Sequence, residues 1–401
     1  MKINLLRENF MAAMRLAKEA ISTRSTLPIL GNVRLTTGDS ALTVAATDLE
    51  VSIVVRIGAR IIEPGEVTLP ARTLADLLDQ LQEEKIELAL LPRETVRLTS
   101  GKATVNIKGL PADEFPHLPQ AEPANGLAVD AARLKSALAA IRDCAAPNDA
   151  RPVLAGALFE FKSSGIVLAA TDGFRLGTSG IPMSIPETWV GKRLILPVKS
   201  LDKVLKCLGN AETLTLSLPD PGRLLFALPN IEIAVQLLEG IYPDYKHIVP
   251  KEFALHTAFE AASLLRACKT ARLLNDTGIF TLAPGQPGAL TLTAVGPEKG
   301  DSAILVDGAI EGEALTIGAD LKFMVEALEG LISLGVTIAS LKFIQPAAPI
   351  MVEPIGLAAD KPQTAYIIMP RAITSKKSEP APSAVGQSSV VEEAMAEAVP
   401  A

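Results

Sequence analysis

Few side chains in this sequence are suited to making or breaking bonds. Its three cysteines, Cys144, Cys207 and Cys268, stand far apart and form no Cys-x-x-Cys pair. An odd, scattered set of thiols reads as buried, reduced side chains, not as a disulfide or metal framework. The three histidines, His117, His247 and His256, include no His-x-x-x-His pair, so no histidine-based metal site is expected. Phosphate-loop, Gly-x-Ser-x-Gly and His-Glu-x-x-His motifs are all missing from the chain. The carboxylates of Asp48 and Asp172 invite comparison with a general acid–base pair. Each follows Ala-Ala-Thr at the end of an apolar run, however, and is expected to cap its own turn by accepting from nearby N–H groups. No catalysis, no cofactor and no metal are expected.

What positions these residues is a pattern that recurs three times. An amphipathic helix opens each copy: Phe10, Ala13, Met14, Ala17 and Ile21 share one face, as do Leu134, Leu138 and Ile141 within 131–145, and Leu264, Cys268 and Ala271 within 259–274. A strand follows, ending at Thr47-Asp48, at Thr171-Asp172 and at Val295-Gly296. Ala46 and Ala170 lie 124 positions apart, and so do Ala170 and Ala294. A second strand then feeds a second helix at Leu69-Pro70, Leu196-Pro197 and Ile317-Gly318. Phe115-Pro116, Tyr242-Pro243 and Met369-Pro370 close the copies, again at a constant spacing of 127.

A period this long makes each copy a whole domain, not one turn of a solenoid. Polar turns at Gly38-Asp39, Ser100-Gly101 and Ser163-Ser164-Gly165 separate short alternating segments, which predicts β-hairpins between the helices. The fold class is therefore α+β, with two helices and antiparallel strands per unit. The units are placed at residues 1–122, 123–252 and 253–373. Residues 374–401, rich in Ser, Ala, Pro and Glu, read as a disordered tail.

Composition bounds the rest. The 401 residues are 48% hydrophobic but only 4% aromatic, so the cores must be aliphatic. The longest uncharged stretch, 277–297, is broken by Pro284, Pro287 and glycines, and no membrane span is expected. The apolar-poor start, with Arg7 and Glu8, reads as cytoplasmic. A net charge of −7 disfavours a protein that wraps nucleic acid by bulk charge, although the six predicted helices carry a small positive excess.

Four segments carry a resemblance: Thr26-Leu27-Pro28-Ile29-Leu30-Gly31-Asn32, Ala46-Thr47-Asp48-Leu49-Glu50, Ala170-Thr171-Asp172-Gly173-Phe174-Arg175-Leu176 and Tyr242-Pro243-Asp244-Tyr245. With the closing Tyr366-Ile367-Ile368-Met369-Pro370-Arg371, they resemble the bacterial sliding clamps, the β subunits of DNA polymerase III. The resemblance covers residues 1 to about 373. It implies a head-to-tail homodimer, a ring of six similar domains around duplex DNA, opened by a clamp loader. The ring tethers replicative and repair polymerases and has no catalytic activity of its own. A clamp paralogue with altered partner or inhibitor specificity is the alternative.

The resemblance also implies sites. Arg24, Arg72, Asn148 and Lys199 match positions near DNA. Pro152-Val153 stands where other members carry two DNA-touching tyrosines. A groove between the second and third domains, which takes a partner peptide, matches Arg151, Leu154, Thr171, Gly173, Phe174, Arg175, Leu176, Pro243, His247, Ile248 and Phe323. Ile367, Ile368, Met369, Pro370 and Arg371 complete it. Phe174, His247 and Phe323 replace residues common in other members, which implies a more apolar groove. The ring interface is implied at Val105, Asn106 and Ile107 on one side and Arg272, Leu273 and Leu274 on the other, with Arg272 where an aliphatic residue is common.

Overall fold

The computed structural model describes residues 1–22, 26–120, 126–147, 151–285 and 290–373. Arg24, Asn148 and the tail 374–401 lie outside the described residues.

The predicted helices form, with shifted ends. They are α1 (Arg7–Ala17), α2 (Ala71–Gln80), α3 (Ala131–Ile141), α4 (Val198–Leu208), α5 (Ala261–Arg272) and α6 (Leu321–Ser333). α1 buries Phe10, Ala13, Met14 and Ala17, the stripe its spacing predicts, and a 3-10 turn at Lys18–Ala20 ends it before Ile21. α5 starts later than expected, because Phe259 and Glu260 finish the strand Leu255–Glu260. The second helix of each unit starts directly from a strand. Pro70 and Pro197, whose rings fix φ, make two of these joins. Asp320 makes the third and accepts from the Lys322 and Phe323 amides at 2.9 and 3.3 Å.

Among the described residues the strands form four sheets, every pairing antiparallel. The hairpins fall where polar turns predict them: Gly38 pairs with Ala41, Ser100 with Ala103 and Lys162 with Gly165. Two sheets lie wholly within the first and third units, with five strands each. The other two cross between units. Val51–Gly58 pairs with Ile231–Gln236 inside an eight-stranded sheet, and Arg175–Pro182 pairs with Gln363–Ile368 inside a nine-stranded one. Helices pack on the sheets through one aliphatic core that runs through all three units, from Ile3 and Phe10 to Tyr366 and Ile368. No helix among the described residues is long and apolar enough to cross a membrane.

Candidate functional site

The junction of the second and third units is built on the turn 171–175. Thr171 Oγ1 accepts from the Gly173 amide at 3.1 Å, and Asp172 Oδ1 accepts from the Phe174 and Arg175 amides at 2.9 and 3.0 Å. Gly173 holds a φ of +92°, where a side chain would strain the backbone. Thr47 and Asp48 repeat the construction, accepting from Leu49, Glu50 and Val51 at 3.0, 3.1 and 2.8 Å. Both aspartates cap turns. Their remaining oxygens are committed as well, Asp48 to Lys203 of α4 and Asp172 to Arg175.

The turn throws Phe174 outward, 67% exposed, while its carbonyl accepts from the Met369 amide at 2.9 Å. Beyond it the ladder sets Arg175 opposite Ile368 and Leu176 opposite Ile367. Below lies a small apolar cluster separate from the main core: Leu158, Ala169, Leu176, Ile195, Tyr242, Tyr245 and Ile367. Phe174 and Met369 each lie two residues from a member of this cluster, and the Ile248 amide donates to the Tyr245 carbonyl at 3.1 Å; all three side chains are exposed, as is that of His247. An apolar floor with a few polar groups at its rim suits an extended peptide carrying apolar anchors.

The sixteen groove residues named from the resemblance divide by exposure. Arg151, Gly173, Phe174, His247, Ile248, Met369 and Arg371 are exposed, and Pro243, Phe323 and Pro370 are half-buried. Arg151 lies against the turn, its guanidinium 3.5 Å from where a Cβ on Gly173 would sit. Leu154, Thr171, Arg175, Leu176, Ile367 and Ile368 are buried, so they shape the site from beneath. Arg175 is the clearest case. It bonds to Asp172 and the Asp143 carbonyl of its own unit and to Glu326 of α6, and its guanidinium sits 4.3 Å from the Phe323 ring. It latches two units together.

Several members of the site lie outside the residues that the resemblance assigns to the groove: Leu158, Ile195 and Glu326, which no quoted motif contains, and Tyr242, Tyr245 and Tyr366, which stand in the quoted motifs without a role. One signal was available. The chain has three tyrosines, and all three pack at this junction. Tyr242 donates toward the Gly156 carbonyl and accepts from the Thr171 amide at 3.1 Å, and Tyr366 donates across the units to the Ala140 carbonyl at 2.7 Å. Tyr245 donates to Glu160 at 3.3 Å, and burial pushes its hydroxyl up to about 12. Burial also raises the Glu160 carboxyl, but bonds from Lys246 and Lys162 outweigh that and hold it below the usual range. This knot fixes the short 3-10 turn Tyr245–His247 that presents His247 and Ile248. The three thiols are buried, and burial pushes each up to about 12, so none is poised as a nucleophile.

The other predicted residues lie elsewhere. Arg72 and Lys199 are exposed near the starts of α2 and α4. Val105 and Ile107 sit on Ala103–Lys108, an edge strand of the first sheet, but their side chains turn toward the core. Asn106, with its neighbours Thr104 and Lys108, faces solvent. In the third unit Leu273 is 72% exposed, and Arg272 pairs with Asp276 at 3.5 Å. Both lie where α5 packs beside Gly300–Val306, the edge strand of the last sheet, whose Leu305 is 68% exposed.

Residues 1–119 match the family described as "DNA polymerase III beta subunit, N-terminal domain", and residues 128–244 match its "central domain". The chain belongs to the bacterial DNA polymerase III β-subunit family. The β sliding clamp of Bacillus subtilis is 27% identical over 344 residues, covering 82% of this chain and 90% of that protein. The clamp of Halalkalibacterium halodurans is 26% identical over 377 residues, covering 91% and 97%. The crystal structure of the B. subtilis clamp superimposes with a TM-score of 0.86 at 25% identity, over 93% of this chain and 99% of that one. β sliding clamps are processivity factors of DNA polymerase III and not enzymes, and this chain is one of them.

Proposed function

We propose that two copies of this chain close head to tail into a ring around duplex DNA, and that the groove between residues 171–176 and 367–371 tethers polymerases to it. The observation that carries the ring is that, among the edge strands the four sheets leave, one lies in the first unit and one in the third where two copies can meet. Pairing between units is already the rule inside the chain, at Val51–Gly58 with Ile231–Gln236 and at Arg175–Pro182 with Gln363–Ile368. Ala103–Lys108 in the first unit and Gly300–Val306 in the third are left as edges, and an unpaired edge strand is a liability that closure removes. In this reading Thr104, Asn106 and Lys108 meet Leu273 and Leu305 of the second copy. Arg72 and Lys199 face the enclosed DNA, and the units divide near residues 122 and 252.

The remaining partners are the clamp loader, which opens the ring, and replicative and repair polymerases, whose extended peptides lie over Phe174, Ile248 and Met369. The setting is the bacterial cytoplasm. Enclosure explains how an acidic protein holds DNA, since topology replaces bulk positive charge and weak phosphate contacts permit sliding. Loading onto nicked circular DNA is the test. The ring should stay on circles and run off linear ends. Retention independent of circularity would overturn enclosure.

A further inference from the structure

In each unit the second helix begins without a loop: Ala71 follows Pro70, Val198 follows Pro197 and Leu321 follows Asp320. The second helical residue therefore occupies one equivalent place in all three units. It is Arg72, Lys199 and Lys322, exposed each time, with Leu74, Leu201 and Met324 buried two positions on. Lys322 lies outside the set that the resemblance implies.

A cation at this place works against its own helix. The first turn carries unpaired N–H groups and the positive end of the helix dipole, which favour acidic side chains. α2, α4 and α6 have no acidic residue in their first turns. A second equivalent set makes the contrast. Lys18, Arg142 and Arg272 end the first helix of each unit, where the dipole favours a cation. Helix stability accounts for that set and not for Arg72, Lys199 and Lys322. Ion pairing does not account for them either. Arg72 reaches the exposed Asp76, and Lys322 the half-buried Glu326, only at 4.0 Å, the limit of an ion pair, and Lys199 has no ion pair among the described residues.

Lys199 and Lys322 also converge. Although they belong to different units, both line one open cavity of about 770 Å³ together with Arg142. Glu50, Asp143 and Glu326 line it too, but Asp143 is paired with Arg142 and Glu326 with the buried Arg175. Cations repeated at one helical position, at a cost to their own helices, suit a ligand whose negative charge repeats irrespective of sequence. Building on the ring reading, we propose that Lys322 is a DNA phosphate contact, the third of an equivalent set with Arg72 and Lys199.

The test uses the full-length chain and a linear duplex, with affinity measured at 50 and 200 mM salt. Each lost phosphate contact should reduce the affinity ratio between those salts by about threefold. Lys322→Ala is expected to show that reduction, as Lys199→Ala does, and Lys322→Arg to restore the wild-type ratio. Lys361→Ala, an exposed cation outside the set, should leave it unchanged. A Lys322→Ala ratio equal to wild type, while Lys199→Ala shifts it, would overturn the proposal. So would an effect of Lys322→Ala confined to polymerase-peptide binding. Wild-type retention on circular DNA tests the ring separately, so a failed ring and a failed Lys322 assignment give different results. Lys322 is exposed, and an unchanged unfolding midpoint will show that the variant folds.

Discussion

Arg175 and Phe174 are neighbours in sequence with opposite fates. The turn caps at Thr171 and Asp172 send one side chain out and the next one in. Arg175 is a buried charge satisfied from both units, so removing it takes from Asp172 and Glu326 the cation that bonds them both. Arg175→Leu should destabilise the chain by roughly 3 kcal/mol in urea unfolding, and a loss under about 1 kcal/mol would contradict the latch. Phe174 is the large exposed apolar side chain that the proposed tether uses. Phe174→Ala should weaken a polymerase-derived peptide about tenfold, with little change in stability, as titration of a labelled peptide would measure.

At the scale of elements, the 3-10 turn Tyr245–His247 is held by Glu160 on the strand Gly156–Lys162. Lys246 donates to its carboxylate at 2.8 Å and Tyr245 at 3.3 Å. Because the folded state holds this carboxyl below its unfolded value of about 4.3, the unfolded chain binds the proton more readily. The contribution is therefore complete above about pH 5 and is lost as the pH falls through the folded value. Glu160→Gln should give a shallower loss of unfolding free energy below pH 5 than wild type. Parallel acid limbs for the two proteins would show that Glu160 plays no such part.

At the scale of the whole molecule, the proposed ring turns on the edge strand Ala103–Lys108. The two-residue turn between Ser100 and Ala103 places the inward ladder bonds on Ala103, Val105 and Ile107. The backbone groups of Thr104, Asn106 and Lys108 then point away from the sheet. Asn106→Pro removes one outward N–H and keeps the internal ladder. Wild type should sediment as a dimer. The proline variant should dissociate at concentrations at least about tenfold higher, with its unfolding midpoint close to wild type. A variant dimer as tight as wild type would place the interface elsewhere.

Much of this was legible in the sequence because it rests on local rules. The 3.6-residue stripes fix where helices run, polar pairs such as Gly38-Asp39 and Ser100-Gly101 mark hairpins to within a residue, and the Thr-Asp turns fix their own hydrogen bonds. Constant spacing marks the repetition of helix and sheet along the chain. Exposure within a motif was not legible: Val105 and Ile107 face the core while Asn106 faces out, and Arg175 is buried while Phe174 is not. Those outcomes depend on which distant strand or helix lies opposite, as Gln363–Ile368 lies beside Arg175–Pro182 and α6 brings Glu326 to Arg175. Periodicity along one segment specifies the face it buries. Which residues of other segments cover that face, and so which side chains remain for DNA or a partner, is set only when the units pack.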